Sequence, residues 1–243
     1  MKKITVLFPV LLTWCALFSQ TAADYLRKGV EAIDRNSYDS AVMLLSRSIE
    51  KDSMLYGAYV NRGYAYLEKK EWQKCYDDLT RAIDKYPDSV AAYHIRAIFF
   101  FTVNYTEEAI QDNTKGLSLA VSDTQRISLF LNRGNAYQQK RDFQHAYEDF
   151  YRAYMIDTTR IEVINNMATV LDDLGRKQEA IDQLKRIIRI DPTFLGPYVN
   201  LGFQYSRLGQ YDEALKWLNK ALEIEKDEPL ALNNRGFVKY NLK

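Results

Sequence analysis

The sequence predicts an all-α fold, a solenoid of stacked helical hairpins, and three observations predict it. Small residues recur at Gly29, Gly63, Ala97, Gly134, Ala168, Gly202 and Gly236, separated by 34, 34, 37, 34, 34 and 34 positions. A second small series, Ala41, Cys75, Ala109, Ala146, Ala180 and Ala214, is spaced 34, 34, 37, 34 and 34. Two independent series that share a period and a three-residue slip mark a repeated supersecondary unit. Gly and Pro are also scarce, at 10 and 5 of 243 residues, which favours long helices over a turn-rich β-fold.

Each unit divides into two helices. Tyr59, Gly63 and Tyr66 lie four and then three residues apart, on one face of a first helix. Cys75, Leu79 and Ala82 repeat that spacing on a second, after the polar turn Glu68-Lys69-Lys70-Glu71. Pro87 and Pro192 follow second helices, where proline ends one helix and opens the next. The small residues let two helix backbones approach, and aromatic residues, including 18 Tyr, fill the remaining volume. The units run over 22–55, 56–89, 90–126, 127–160, 161–194 and 195–228, with a partial unit from 229 to 243. The third carries the three extra residues, placed between Leu117 and Arg126. With Gly116 and Asn113 in its second helix, this unit is expected to be the weakest joint.

The first 23 residues differ in kind. Lys2 and Lys3 precede an apolar run from Ile4 to Phe18, followed by Ser19, Gln20, Thr21, Ala22 and Ala23. This is the layout of a bacterial secretory signal, and it predicts an exported chain of the periplasm or envelope, or a secreted one. The run is 15 residues long and contains Pro9, whereas a spanning helix needs about 20. The mature chain is therefore expected to lack a transmembrane span. Cleavage falls after Ala23 or nearer Ser19. Cys15 follows Trp14, which is too bulky for the usual lipobox, so lipidation is disfavoured. Removal of the leader leaves Cys75 alone, and no internal disulfide forms.

The repeat resembles the tetratricopeptide repeat. Tyr198, Leu201, Gly202, Tyr205, Tyr211, Ala214, Leu218 and Ala221 match nearly the whole family motif, and Asp191-Pro192 matches its closing pair. The resemblance covers about residues 22 to 243. It implies a right-handed superhelical array over 24–243 in which first helices line a concave groove. It also implies a non-catalytic scaffold whose partner is a protein or an extended peptide.

Comparison between units suggests contacts. Arg62, Arg96 and Arg133 stand just before the small residue, and each such unit has an aspartate sixteen residues later: Asp78, Asp112 and Asp149. Units with Lys28, Met167 and Leu201 carry Leu44, Gln183 and Trp217 instead. Three structural ion pairs are expected, Arg62–Asp78, Arg96–Asp112 and Arg133–Asp149. Arg235 occupies the same slot, and its helix keeps the interior pattern Leu232, Gly236, Phe237 and Tyr240. That helix is continued, covered by a partner, or stable without a cap.

In the family the residue two before the small position points into the groove. Here these residues are Arg27, Asn61, Ile95, Asn132, Asn166, Asn200 and Asn234. An amide offers a donor and an acceptor together and suits a peptide backbone. The Asn residues serve as such a ladder or as ordinary filler. Tyr64, Phe203 and Phe237 beside them anchor ligand side chains or pack on the next unit. No basic set across three consecutive units exists for clamping a carboxylate terminus.

Formal net charge is +1 without a basic block, which speaks against nucleic acid. His94 and His145 lie in different units without thiols at ligand spacing, so neither a metal nor a cofactor is expected. Phosphate loops and nucleophile elbows are absent. The reading is a non-enzymatic envelope adaptor binding in its groove. A structural subunit of an envelope or secretion assembly, or a docking segment of a longer chain, are the alternatives.

Overall fold

A computed structural model describes residues 20–242. The predicted leader's apolar run and Cys15 lie outside the described residues. Thirteen α-helices follow one another among the described residues: α1 (Ala22–Asp34), α2 (Tyr38–Lys51), α3 (Tyr56–Glu68), α4 (Trp72–Lys85), α5 (Val90–Thr102), α6 (Thr106–Leu119), α7 (Asp123–Gln139), α8 (Phe143–Ile156), α9 (Ile161–Asp173), α10 (Lys177–Ile190), α11 (Gly196–Arg207), α12 (Tyr211–Ile224) and α13 (Pro229–Asn241). The chain divides into two compact units, Met1–Phe99 and Phe100–Lys243, with the division inside the third repeat.

Close backbone approach holds four of the hairpins shut. A Cβ built on Gly29, Gly63, Gly134 or Gly202 would lie 2.6, 2.8, 2.5 or 2.4 Å from Leu45, Leu79, Phe150 or Leu218. Each bulky partner sits sixteen residues on, in the second helix, and is fully buried. The second small series is buried to the same degree, from Ala41 to Ala214, so the second helices also have a close-packed side. In the second unit, Ile127, Leu131, Phe150, Val163 and Met167 form one core cluster, and Ile181, Leu184, Leu201, Leu218 and Val238 belong to another.

The turn inside each hairpin has its own period. Asn36, Lys70, Asn104, Arg141, Gly175 and Gly209 all adopt positive φ, between 55° and 75°. They lie at the same place in successive hairpins and follow the same 34-residue spacing with the same slip. The amide after each folds back on the first helix, as when Glu71 N donates to Tyr66 O at 2.9 Å and Arg176 N to Leu171 O at 2.8 Å.

The three extra residues become helix. Helix α7 has 17 residues, against 12 or 13 for the other first helices. It begins a turn early because Ser122 and Gln125 form a capping box. Gly116 is closely packed in α6: a Cβ there would lie 2.9 Å from a methyl of Leu129 of α7, which would have to shift to admit it. Asn113 is buried and donates to Ala109 O at 2.9 Å.

Arginine–aspartate pairs bridge the two helices of a hairpin at Arg62–Asp78 and Arg133–Asp149. Arg62 Nε and Nη2 grip Asp78 Oδ2 and Oδ1 at 2.7 and 2.8 Å. Arg133 grips Asp149 in the same way, with both contacts at 2.7 Å. The Asp78 and Asp149 side chains are only 8% and 2% exposed. Burial works against the Arg62 and Arg133 charges, and the bonds and charge of the paired aspartates outweigh it, so both guanidiniums are held above their ordinary values. The remaining Nη1 reaches a hydroxyl on the preceding second helix, Ser46 for Arg62 at 2.8 Å and Thr114 for Arg133 at 2.9 Å. Arg96 Nη1 reaches Thr80 at 3.3 Å, and Asp112 lies in the other compact unit. Arg235 reaches Asn219 Oδ1 at 3.2 Å.

Gly134→Ala is expected to lower stability by about 1–3 kcal/mol, because the added methyl meets a ring that is fully buried. At Gly236, where a Cβ meets nothing within 4 Å, alanine should instead raise stability by about 0.5–1 kcal/mol. Thermal unfolding of the two variants tests this opposition in sign. Asp149→Ala leaves Arg133 short of a counter-charge and should cost about 3–5 kcal/mol, most of which Arg133→Met/Asp149→Leu recovers. Denaturant midpoints decide it, and a double variant no better than the single one contradicts the account.

Candidate protein-binding surface

In the second unit the position two before the small residue carries Asn132, Asn166, Asn200 and Asn234 on α7, α9, α11 and α13. Neighbouring first helices touch along this row. Asn166 Nδ2 donates to Asn135 Oδ1 at 3.4 Å, joining α9 to α7, and Arg207 Nη1 donates to Asp172 Oδ2 at 2.8 Å, joining α11 to α9. Asn200 is exposed and Asn234 half-buried, and their amides make no hydrogen bond among the described residues. Both therefore keep a donor and an acceptor available to a ligand.

Aromatic side chains flank the row. Phe203 is 43% exposed and Phe237 56%, so both present ring surface to solvent. The Arg207 guanidinium lies 5.6 Å from the Phe203 centroid. Beside Phe203 opens a cavity of about 160 Å³, lined by Ala168, Thr169, Asp172, Leu184, Asn200, Phe203 and Gln204.

The first unit presents a different surface. Asn61 turns back on its own helix and donates to Gly57 O at 2.7 Å, so one amide proton is used locally. Tyr64 is half-buried; burial and then the Glu68 carboxylate raise its hydroxyl above the usual tyrosine value. It therefore stays a neutral donor at physiological pH.

Burial first, and then the Asp78 charge, push the Cys75 thiol up to about 12, so it stays protonated in its small-residue slot. Burial lowers the His94 imidazole, and exposed His145 contacts Asp142 Oδ2 at 2.8 Å. Among the described residues no three His, Cys, Asp or Glu side chains group as a metal site, and no helix is long and apolar enough to cross a membrane.

Known proteins share this architecture. Tetratricopeptide-repeat families match residues 58–89, 127–159, 161–194 and 184–216, and a TPR-repeat family matches 204–243, together more than half of the chain. Tetratricopeptide repeat protein 13 of Homo sapiens is 30% identical over 118 residues, covering 46% of this chain and 13% of its own length. Sperm-associated antigen 1 of Homo sapiens is 32% identical over 90 residues, 37% of this chain and 10% of its own. The chain thus spans a small fraction of these relatives. Among solved structures, the type IV pilus biogenesis factor PilW superposes with a TM-score of 0.78 at 15% identity, over 88% of this chain and 98% of its own. PilF of Pseudomonas aeruginosa gives 0.76 at 13%, over 89% and 97%. YrrB, described as a TPR protein with an unusual peptide-binding site, gives 0.66 at 20%, over 79% and 97%. At these identities the likeness is one of fold. Repeat matches along the chain and hairpins of this geometry lead to one conclusion: the chain belongs to the tetratricopeptide-repeat family.

Proposed function

We propose that this protein is a non-catalytic scaffold of the cell envelope that binds an extended peptide or protein segment along the first-helix face of its second unit. The observation that carries the reading is the Asn132, Asn166, Asn200 and Asn234 row, with two amides unengaged and exposed Phe203 and Phe237 beside it. Each amide–backbone hydrogen bond nets about 0.5–1.5 kcal/mol. Association costs at least about 4 kcal/mol in lost freedom. The row alone therefore supports weak, sequence-blind binding, and the aromatic rings and the cavity beside Phe203 add selectivity.

Export rests on the layout of residues 1–23. The start of α1 supports cleavage nearer Ser19 than after Ala23. Thr21 caps α1 and exchanges hydrogen bonds with Asp24, and buried Ser48 donates to Ala22 O at 2.7 Å. Cleavage after Ala23 would remove both the cap and that acceptor.

A structural role in an envelope assembly is the second reading. Helix α13 favours it by exposing Leu230 at 63%, Phe237 at 56% and Tyr240 at 78%, an apolar surface suited to a permanent neighbour.

The Asn166→Ala/Asn200→Ala double variant should weaken capture of peptide ligands about tenfold while leaving the unfolding temperature within a degree or two. Undiminished capture would move the binding role to the α13 surface. Mass spectrometry of the protein from the envelope fraction should find a mature chain that retains Thr21. Full-length protein confined to the cytoplasm overturns the export reading.

A further inference from the structure

Helix α13 is a first helix that packs on α12 and α11, and the side that would face a second helix of its own is open among the described residues. Leu232 on that side is 40% exposed, whereas Tyr59, Tyr93, Ile164 and Tyr198, which hold the same slot in other units, are buried. A Cβ on Gly236 meets nothing within 4 Å, whereas one on Gly29, Gly63, Gly134 or Gly202 runs into a leucine or phenylalanine of a second helix. Arg235, just before Gly236, is posed like Arg62 and Arg133. Its Nη1 reaches Asn219 of the preceding second helix at 3.2 Å, as theirs reach Ser46 and Thr114. In Arg62 and Arg133 the Nε and Nη2 grip an aspartate that directly precedes the bulky residue. In half-buried Arg235 those two nitrogens make no hydrogen bond among the described residues.

Charge selects what covers this face. Between Pro229 and Asn241 the helix carries Arg235 and Lys239 and no acidic residue. A second copy of α13 laid on it sets like charges together, which disfavours self-association there. We propose that the face docks an amphipathic helix of a partner protein in which an aspartate directly precedes a leucine or phenylalanine. The apolar side chain fills the space over Gly236 and covers Leu232. The carboxylate accepts from Arg235 Nε and Nη2 in the bidentate manner of Asp78 and Asp149. This rests on the second reading above, in which α13 has a permanent neighbour, and it is independent of the amide row.

The probe is a lactam-stapled helical peptide with the sequence of α4, Trp72–Lys85, carrying Cys75→Ala; it presents the Asp78-Leu79 pair on a helix. Its binding to the full chain is read by fluorescence anisotropy. Asp78→Asn in the peptide should weaken binding about tenfold, and Arg235→Met in the protein should erase that difference. Gly236→Ala should weaken binding about tenfold while raising the unfolding temperature, because its methyl takes the space that Leu79 needs. Equal affinity for the two peptides, or a difference that survives Arg235→Met, overturns the proposal. So does a loss of affinity in the Asn166→Ala/Asn200→Ala variant, which puts the peptide in the groove. A photo-crosslinker in place of Tyr240 separates the proposal from the reading it rests on. If it joins α13 to another protein of the envelope fraction while neither peptide binds, the neighbour stands and its acidic-helix chemistry falls. If it joins the chain to itself or to a second copy, both fall.

Discussion

Everything in this protein hangs on how closely two helix backbones meet within a hairpin. At Gly29, Gly63, Gly134 and Gly202 the second helix presents a bulky apolar side chain sixteen residues on, in the space a Cβ would take: Leu45, Leu79, Phe150 and Leu218. That contact places the neighbouring residues as well. Arg62 precedes Gly63 and Asp78 precedes Leu79; Arg133 precedes Gly134 and Asp149 precedes Phe150. Each ion pair is therefore set at the crossing point, where the planar guanidinium meets a carboxylate squarely. Its spare nitrogen reaches a hydroxyl of the preceding hairpin, so one arginine couples the inside of a unit to the unit before it.

The same constraint shapes the candidate binding surface. A first helix that spends one face on its partner meets the neighbouring first helices along another. Residues two before the small position recur along that side in the second unit, so one side-chain type repeated there becomes a row. In the second unit the amides at Asn200 and Asn234 remain unengaged, and Asn166 is drawn toward Asn135.

Several features were present in the sequence and were still hard to read there. The positive-φ turn residues keep the repeat spacing, but the types change from Asn36 and Lys70 to Gly175 and Gly209, so a search by residue type passes over them. Ser46, Thr80 and Thr114 are spaced by 34, and their meaning appears only once an arginine from the next hairpin is seen to reach them. Gly116 read alone is a helix weakener; against Leu129 it is a close-packing residue. The slip of three residues looked like loop and became most of a helical turn, because Ser122 and Gln125 supply a capping box ahead of Asp123.

By itself the sequence determined the all-α repeat class, the hairpin period and the place where that period slips. Each follows from local spacing, because helical periodicity and small-residue contacts repeat whatever lies far away in the chain. Tertiary structure alone decided what each repeated side chain does. Asn61 bonds to Gly57 while Asn200 stays open, although both hold the same slot, because each rotamer is set by what the adjacent hairpins offer it. Asp172 and Gln204 line one cavity only because α9 and α11 pack side by side, and that juxtaposition across 32 residues has no signature in local pattern.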